Sequence, residues 1–157
     1  MALIKLNNQS YSSLNNFLPT DSIIQTKYYQ VITTATTTTS TSFTNLGSSF
    51  NFTPLSTSSN IFITVSTDSS HDSGSDGIQF RLNKDGTTIT TGDNDNRIKY
   101  HAGATLNTHA ISSWFEKISN TSTNQITFQL QFKTFDAGTA RVGSFGDTAV
   151  LIKEIKA

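Results

Sequence analysis

The chain has 157 residues, a formal net charge of zero, 14% charged residues, no cysteine, and 26 Thr, 21 Ser and 13 Asn against two Glu. Without cysteine there are no disulfide staples and no thiolate metal sites. Without a basic excess there is nothing to neutralise a phosphate backbone, so nucleic-acid binding is not expected. The sparse charge also does little to keep copies apart, which suits a protein that ends up inside an assembly.

The length fits one domain that buries roughly 70% of its unfolded surface. Residues 1–26 differ from the rest. Leu3, Ile4 and Leu6, then Tyr11, Leu14, Phe17, Leu18, Ile23 and Ile24, lie among Asn, Ser and Gln with Pro19 between them, and no period is sustained. The segment reads as an extended arm ahead of a domain over 27–157. A solvated terminus is one option. The number of sizeable apolar side chains favours an arm that orders on a neighbouring subunit, and makes these residues the candidate partner-binding set. Met1–Leu6 is too short for a signal-peptide core, and no run approaches the ~20 apolar residues of a membrane span, so synthesis in a cytoplasm and no membrane partner are expected. The sequons at Asn8, Asn51 and Asn120 are read as chance matches in so Asn- and Thr-rich a chain.

Strand signals follow at regular intervals. Residues 27–35 carry Tyr28, Tyr29, Val31 and Ile32. The Thr34–Ser42 tract reads as a strand end and connection. Residues 41–46 and 49–53 centre on Phe43 and Leu46, and on Phe50 and Phe52. Ile61, Ile63 and Val65 share one face of the next run, and Ile78, Phe80 and Leu82 alternate with Gln79, Arg81 and Asn83. Asp85-Gly86 predicts a tight hairpin, because that turn needs positive φ, with Thr87–Thr91 as the return strand. Residues 109–118 are ambiguous in period and are assigned as a strand from their neighbours. Ile126, Phe128, Leu130 and Phe132 mark one apolar face of Gln125–Phe132. Thr148–Ile155 is apolar on both faces, which predicts a central strand or one flanked by another subunit.

Eight or nine short strands without a convincing helix predict an all-β fold, a β-sandwich, with a Greek-key jelly roll as the leading topology. The immunoglobulin fold is the alternative, but no Cys…Trp…Cys spacing supports it.

The chemistry-bearing residues are few. Asp72 and Asp76, and Asp93 and Asp95, stand in loops rich in oxygen donors and are the calcium candidates, but neither segment has the acidic ladder of an EF-hand. Asp, Asn and Gly are also ordinary turn residues, so no metal is expected. His71, His101 and His109 share no metal-type spacing. His71 beside Asp72 lacks a nucleophile elbow. Glu116 and Glu154 differ too much in setting to form an acid/base pair, which leaves only an Asp pair from the loops as a carboxylate option. No phosphate-binding loop occurs, and neither catalysis nor a cofactor is expected. Tyr100 and Trp114 are the candidate stacking residues for a sugar ligand, although a lone Trp in a sandwich is more commonly a core or interface residue.

The opening Met1-Ala2-Leu3-Ile4-Lys5-Leu6-Asn7-Asn8-Gln9-Ser10 resembles small virion proteins of tailed phages, those of cyanophages and other aquatic phages above all. So do Phe80-Arg81-Leu82-Asn83-Lys84-Asp85-Gly86-Thr87-Thr88-Ile89 leading to Gly92-Asp93, and the closing Ala149-Val150-Leu151-Ile152-Lys153-Glu154-Ile155. That resemblance implies a jelly-roll-like subunit, usually a homotrimer, displayed on the particle as capsid cement (decoration) protein or as a fibre or head-spike component. It carries no catalytic residues. The sequence has no heptads and no fibrous repeat, so cement bound to the major capsid protein on the outer capsid surface is the first expectation. A receptor-binding tip that takes host polysaccharide through loops 68–77 and 92–109 is the second.

Overall fold

The computed structural model describes residues 18–72, 77–89, 99–100, 110–135, 138–144 and 146–157. Among these there is no helix. The strands are β1 (Ile23–Ile32), β2 (Thr36–Thr38), β3 (Thr44–Asn45), β4 (Phe50–Phe52), β5 (Ser59–His71), β6 (Gly77–Lys84), β7 (Thr87–Thr88), β8 (Lys99–Tyr100), β9 (Ala110–Asn120), β10 (Ile126–Thr134), β11 (Ala140–Val142) and β12 (Thr148–Lys156).

They form two antiparallel sheets. In the first, β12 lies between β1 and β5, and β9 pairs with the other side of β5 along its whole length, Ala110 to Asn120. The short β11 and β2 continue this sheet beside the end of β5. In the second sheet β10 lies between β6 and the pair β3 and β4, and β7 and β8 flank β6. Each sheet therefore interleaves strands from both halves of the chain, the Greek-key arrangement of a jelly roll. The expected topology is the observed one, and the immunoglobulin alternative falls.

The core is set by period-two alternation. Ile126, Phe128, Leu130 and Phe132 of β10 and Ile78, Phe80 and Leu82 of β6 face Ile61, Ile63 and Val65 of β5 and Val150 and Ile152 of β12, all buried. Phe50 stacks on Phe128 with centroids 5.6 Å apart, and Tyr29 closes on Phe50 at 4.9 Å. The last strand is central in its sheet, with Thr148, Val150, Ile152 and Glu154 inward and Ala149, Leu151 and Ile155 half-buried on the outer face.

Local chemistry fixes the turns. Asp85 and Gly86 both have positive φ, 49° and 81°, as a two-residue hairpin of the mirror-image type requires. At Gly47 (φ 65°) the requirement is spatial as well. A Cβ there would lie 2.5 Å from the Val31 carbonyl oxygen and 2.6 Å from Ile32 Cγ2. Gly47→Ala is expected to cost about 2–4 kcal/mol, from the left-handed backbone penalty together with overpacking. A shift in urea midpoint worth less than about 1 kcal/mol would show that β1 and the β3–β4 connection separate easily.

Two expectations need correcting, and one strand, β11, was not read from the sequence. β1 begins at Ile23, so the boundary at residue 26 is too late. Ile23 and Ile24 belong to the sandwich, Ile24 in its core, because Gln25 and Thr26 already pair with Glu154 and Lys153. The run around Ile61–Val65 is β5 and continues to His71, since β9 pairs its polar end as far as Ser69 and β11 pairs Ser69 to His71. There Thr67 and Thr148 share a hydrogen bond of 2.7 Å between their buried hydroxyls. β11 has only Ala140 and Val142 as inward residues, too few to stand out as a periodic run.

Candidate interaction surface

The outer face of the first sheet carries the side chains that the core does not use. Register places Tyr28, Leu151, Thr64 and Phe115 in one row across β1, β12, β5 and β9, and Thr26, Lys153, Phe62 and Lys117 in the next. Phe115 is 72% exposed, Tyr28 63% and, two positions along the face from Ser113, Ile111 is 80% exposed. Phe62, Thr64, Ser113, Phe115, Lys153 and Ile155 line a cleft of about 420 Å³ on this face. The Lys117 ammonium lies 5.6 Å from the Phe62 ring centroid, within cation–π range. Single exposed apolar residues are ordinary, but Tyr28, Leu151, Phe62, Phe115 and Ile155 gathered over four neighbouring strands mark an interaction surface. Covering a side chain the size of Phe115 would contribute about 1.5–3 kcal/mol.

The outer face of the second sheet is its chemical opposite. Gln131 accepts from Arg81 Nε at 2.7 Å and from Asn83 Nδ2 at 3.0 Å, and donates to Asn45 Oδ1 at 2.8 Å. Phe43 lies under Arg81 at 4.1 Å and Lys133 at 5.2 Å. Arg81, Asn83, Gln131 and Asn45 thus engage one another, while Gln79 on the same face of β6 is buried and its amide has no hydrogen-bond partner among the described residues.

The anticipated site residues are dispersed. Trp114 sits on strand β9 and not in a loop, and its ring packs against Phe80 at 5.5 Å, alongside the core. The indole is therefore held between the sheets and is not a free stacking platform. Tyr100 lies on β8, paired with Gly77, and its side chain is outside the described residues. Asp72 terminates β5: its Oδ1 accepts the Thr139 N–H at 2.6 Å, and its own N–H donates to the Thr139 carbonyl at 3.2 Å. It is thus a turn-tying residue. Asp76, Asp93 and Asp95 lie outside the described residues, as do Leu3, Ile4, Leu6, Tyr11, Leu14 and Phe17. Among the described residues no three His, Asp or Glu side chains are grouped to hold a metal ion. Leu18 is half-buried, and its carbonyl accepts from Lys156 Nζ at 2.6 Å.

The Thr139 amide holds the Asp72 carboxyl below the usual aspartate range, with His71 and Arg141 adding to the effect and desolvation opposing it. A lowered folded value stabilises the fold above the ordinary aspartate range, and that contribution is lost as pH falls through the lowered value. Asp72→Asn is expected to remove this part of the acid sensitivity. Hydrogen exchange at the Thr139 amide between pH 5 and pH 3, which should accelerate relative to intrinsic rates in the parent but not in the variant, is the measurement that checks it.

Sequence reasoning missed Glu154. It is fully buried, and its two carboxyl oxygens accept from Gln25 Nε2 (2.6 Å), the Leu55 N–H (2.9 Å), the Ser56 N–H (2.9 Å) and Ser59 Oγ (2.8 Å). Asn120 Nδ2 donates to the Ser56 carbonyl at 2.5 Å. Side chains from β1, β5, β9 and β12 thus converge on the 53–56 connection. The available signal was parity alone: Glu154 continues the inward series Val150 and Ile152.

These sheets define the class: a jelly-roll β-sandwich with one apolar and one polar outer face. Among the solved structures it resembles is a chain in the structure of infectious bursal disease virus, Gx strain, at 14% sequence identity and a TM-score of 0.46. The match covers 84% of this chain and 36% of that one, so the chain spans about a third of that protein's length. The fold assignment rests on strand order and register, not on this likeness. No family model matches the sequence, and none of the curated proteins compared does.

Proposed function

We propose that this chain is a structural subunit of a virion: a capsid cement protein that sits as a homotrimer on the outer surface of a tailed-phage head and binds the major capsid protein. The observation that carries this reading is the exposed Tyr28, Phe115 and Ile111, with the half-buried Phe62 and Leu151, on the outer face of the first sheet. The apolar side chains of residues 1–17 add a second adhesive element, and the resemblance to small phage virion proteins supplies the setting. Trimeric attachment would multiply weak single contacts through effective concentration, by roughly 10²-fold or more. The role is structural and not catalytic, in keeping with a buried Glu154 engaged by backbone amides and an Asp72 engaged in a turn. The polysaccharide-binding tip gains nothing from Trp114, which packs on Phe80.

The test is co-sedimentation of the purified protein with phage shells assembled without it. The full chain should sediment at a fixed ratio to the shell protein, and the chain lacking residues 1–17 should be released or should lose trimeric mass. Unchanged binding by the truncated chain would remove the arm from the account. Failure of the full chain to bind would remove cement.

A further inference from the structure

On the reading just given, the apolar face of the first sheet contacts the shell. We infer that its occupant is an apolar segment carrying carboxylates, and not a second copy of this face or the chain's own residues 1–17. The argument is one of charge. The protein as a whole is neutral, with 11 Lys and Arg against 11 Asp and Glu. Yet among the described residues the charges in the middle of this face are the exposed Lys117 and the half-buried Lys153, which flank Phe62 in a single cross-strand row. Glu116 and Glu154 point inward and are buried. Asp68, level with Ile111 at the far end of the face, is buried as well, and Asp147 hydrogen-bonds Gln30 at the margin.

A second copy laid face to face about a twofold axis would bring lysines against lysines over an apolar contact, the costly like-charge arrangement. Residues 1–17 carry Lys5 as their one charge, so they also fail to complement the two ammonium groups. An apolar side chain entering the cleft between Phe62 and Phe115, with carboxylates one or two residues to either side reaching Lys117 and Lys153, satisfies both features. Such charge-assisted contacts at the edge of an apolar anchor set orientation and partner choice.

The probes are two synthetic peptides of alternating Phe/Leu with Asp, or of the same apolar residues with Lys, titrated into the isotopically labelled full chain. The acidic peptide should shift the amide signals of Phe62, Phe115, Lys117 and Lys153 and bind about tenfold or more tightly than the basic one. The K117E/K153E double variant should reverse that preference. Phe115→Ser should weaken acidic-peptide binding about tenfold, as loss of a central anchor does. None of the three positions is in the core, so unfolding midpoints should match the parent.

Equal affinity for the two peptides, or no binding of the acidic one, overturns the inference. So does a fall in sedimentation-equilibrium mass on Phe115→Ser without peptide binding, which would make a second copy the occupant. Acidic-peptide binding that occurs only after residues 1–17 are deleted overturns it too, by making the arm the occupant. If the acidic peptide binds here with reversal in the double variant but the full chain ignores phage shells, the surface stands and the cement reading falls.

Discussion

Replacing Glu154 with Ala is expected to lower stability by about 3–5 kcal/mol, because the substitution orphans two backbone amides and two side-chain donors at a buried position. Among the described residues the Leu55 and Ser56 N–H groups make no other hydrogen bond, and side chains from β1, β5, β9 and β12 tie down the connection they belong to. Glu154→Gln should cost less, about 2–3 kcal/mol, since one oxygen is kept but an amide NH₂ is turned toward a donor. Urea unfolding of both variants, read as midpoint at constant slope, checks this. A loss below about 1 kcal/mol for the Ala variant would mean that the four hydrogen bonds are not made in solution.

Phe132→Ala and Phe128→Ala are each expected to cost about 3–5 kcal/mol, the range for emptying a large aromatic site in a packed core. Phe132 is 1% exposed and Phe128 fully buried, and they lie opposite Phe80 and Lys84 in the β10–β6 register. Phe128 also stacks on Phe50 of β4, so its loss loosens both neighbours of β10. Because side-chain direction alternates along a strand, a one-residue slip of β10 would turn both rings to solvent. A cost below about 1 kcal/mol would therefore indicate the wrong face, whereas Gln129→Ala on the opposite face should cost well under either value.

Much of the sandwich was legible because its inward residues alternate strictly. β6, β10 and β12 were located to within about two residues, and the Asp85-Gly86 turn followed from its backbone requirement alone. What escaped has a common cause: pairing can hold residues whose side chains send no signal. Ser66–His71 stay in β5 because β9 and β11 flank them, and Ile23 joins β1 because β12 reaches that far. Neither fact is visible along a single strand. The candidate surface was the least legible part. Tyr28, Phe62, Phe115 and Leu151 come from four strands separated by long stretches of sequence, and only the cross-strand register assembles them. Trp114 misled for the converse reason, since its neighbour Phe115 is the exposed aromatic while the indole packs on Phe80.

The central claim, that this domain is capsid cement, is tested most directly by its copy number per virion, obtained by quantitative mass spectrometry against the major capsid protein. Cement requires hundreds of copies at a fixed stoichiometry to the shell. A few tens or fewer would contradict it and point to a fibre or spike.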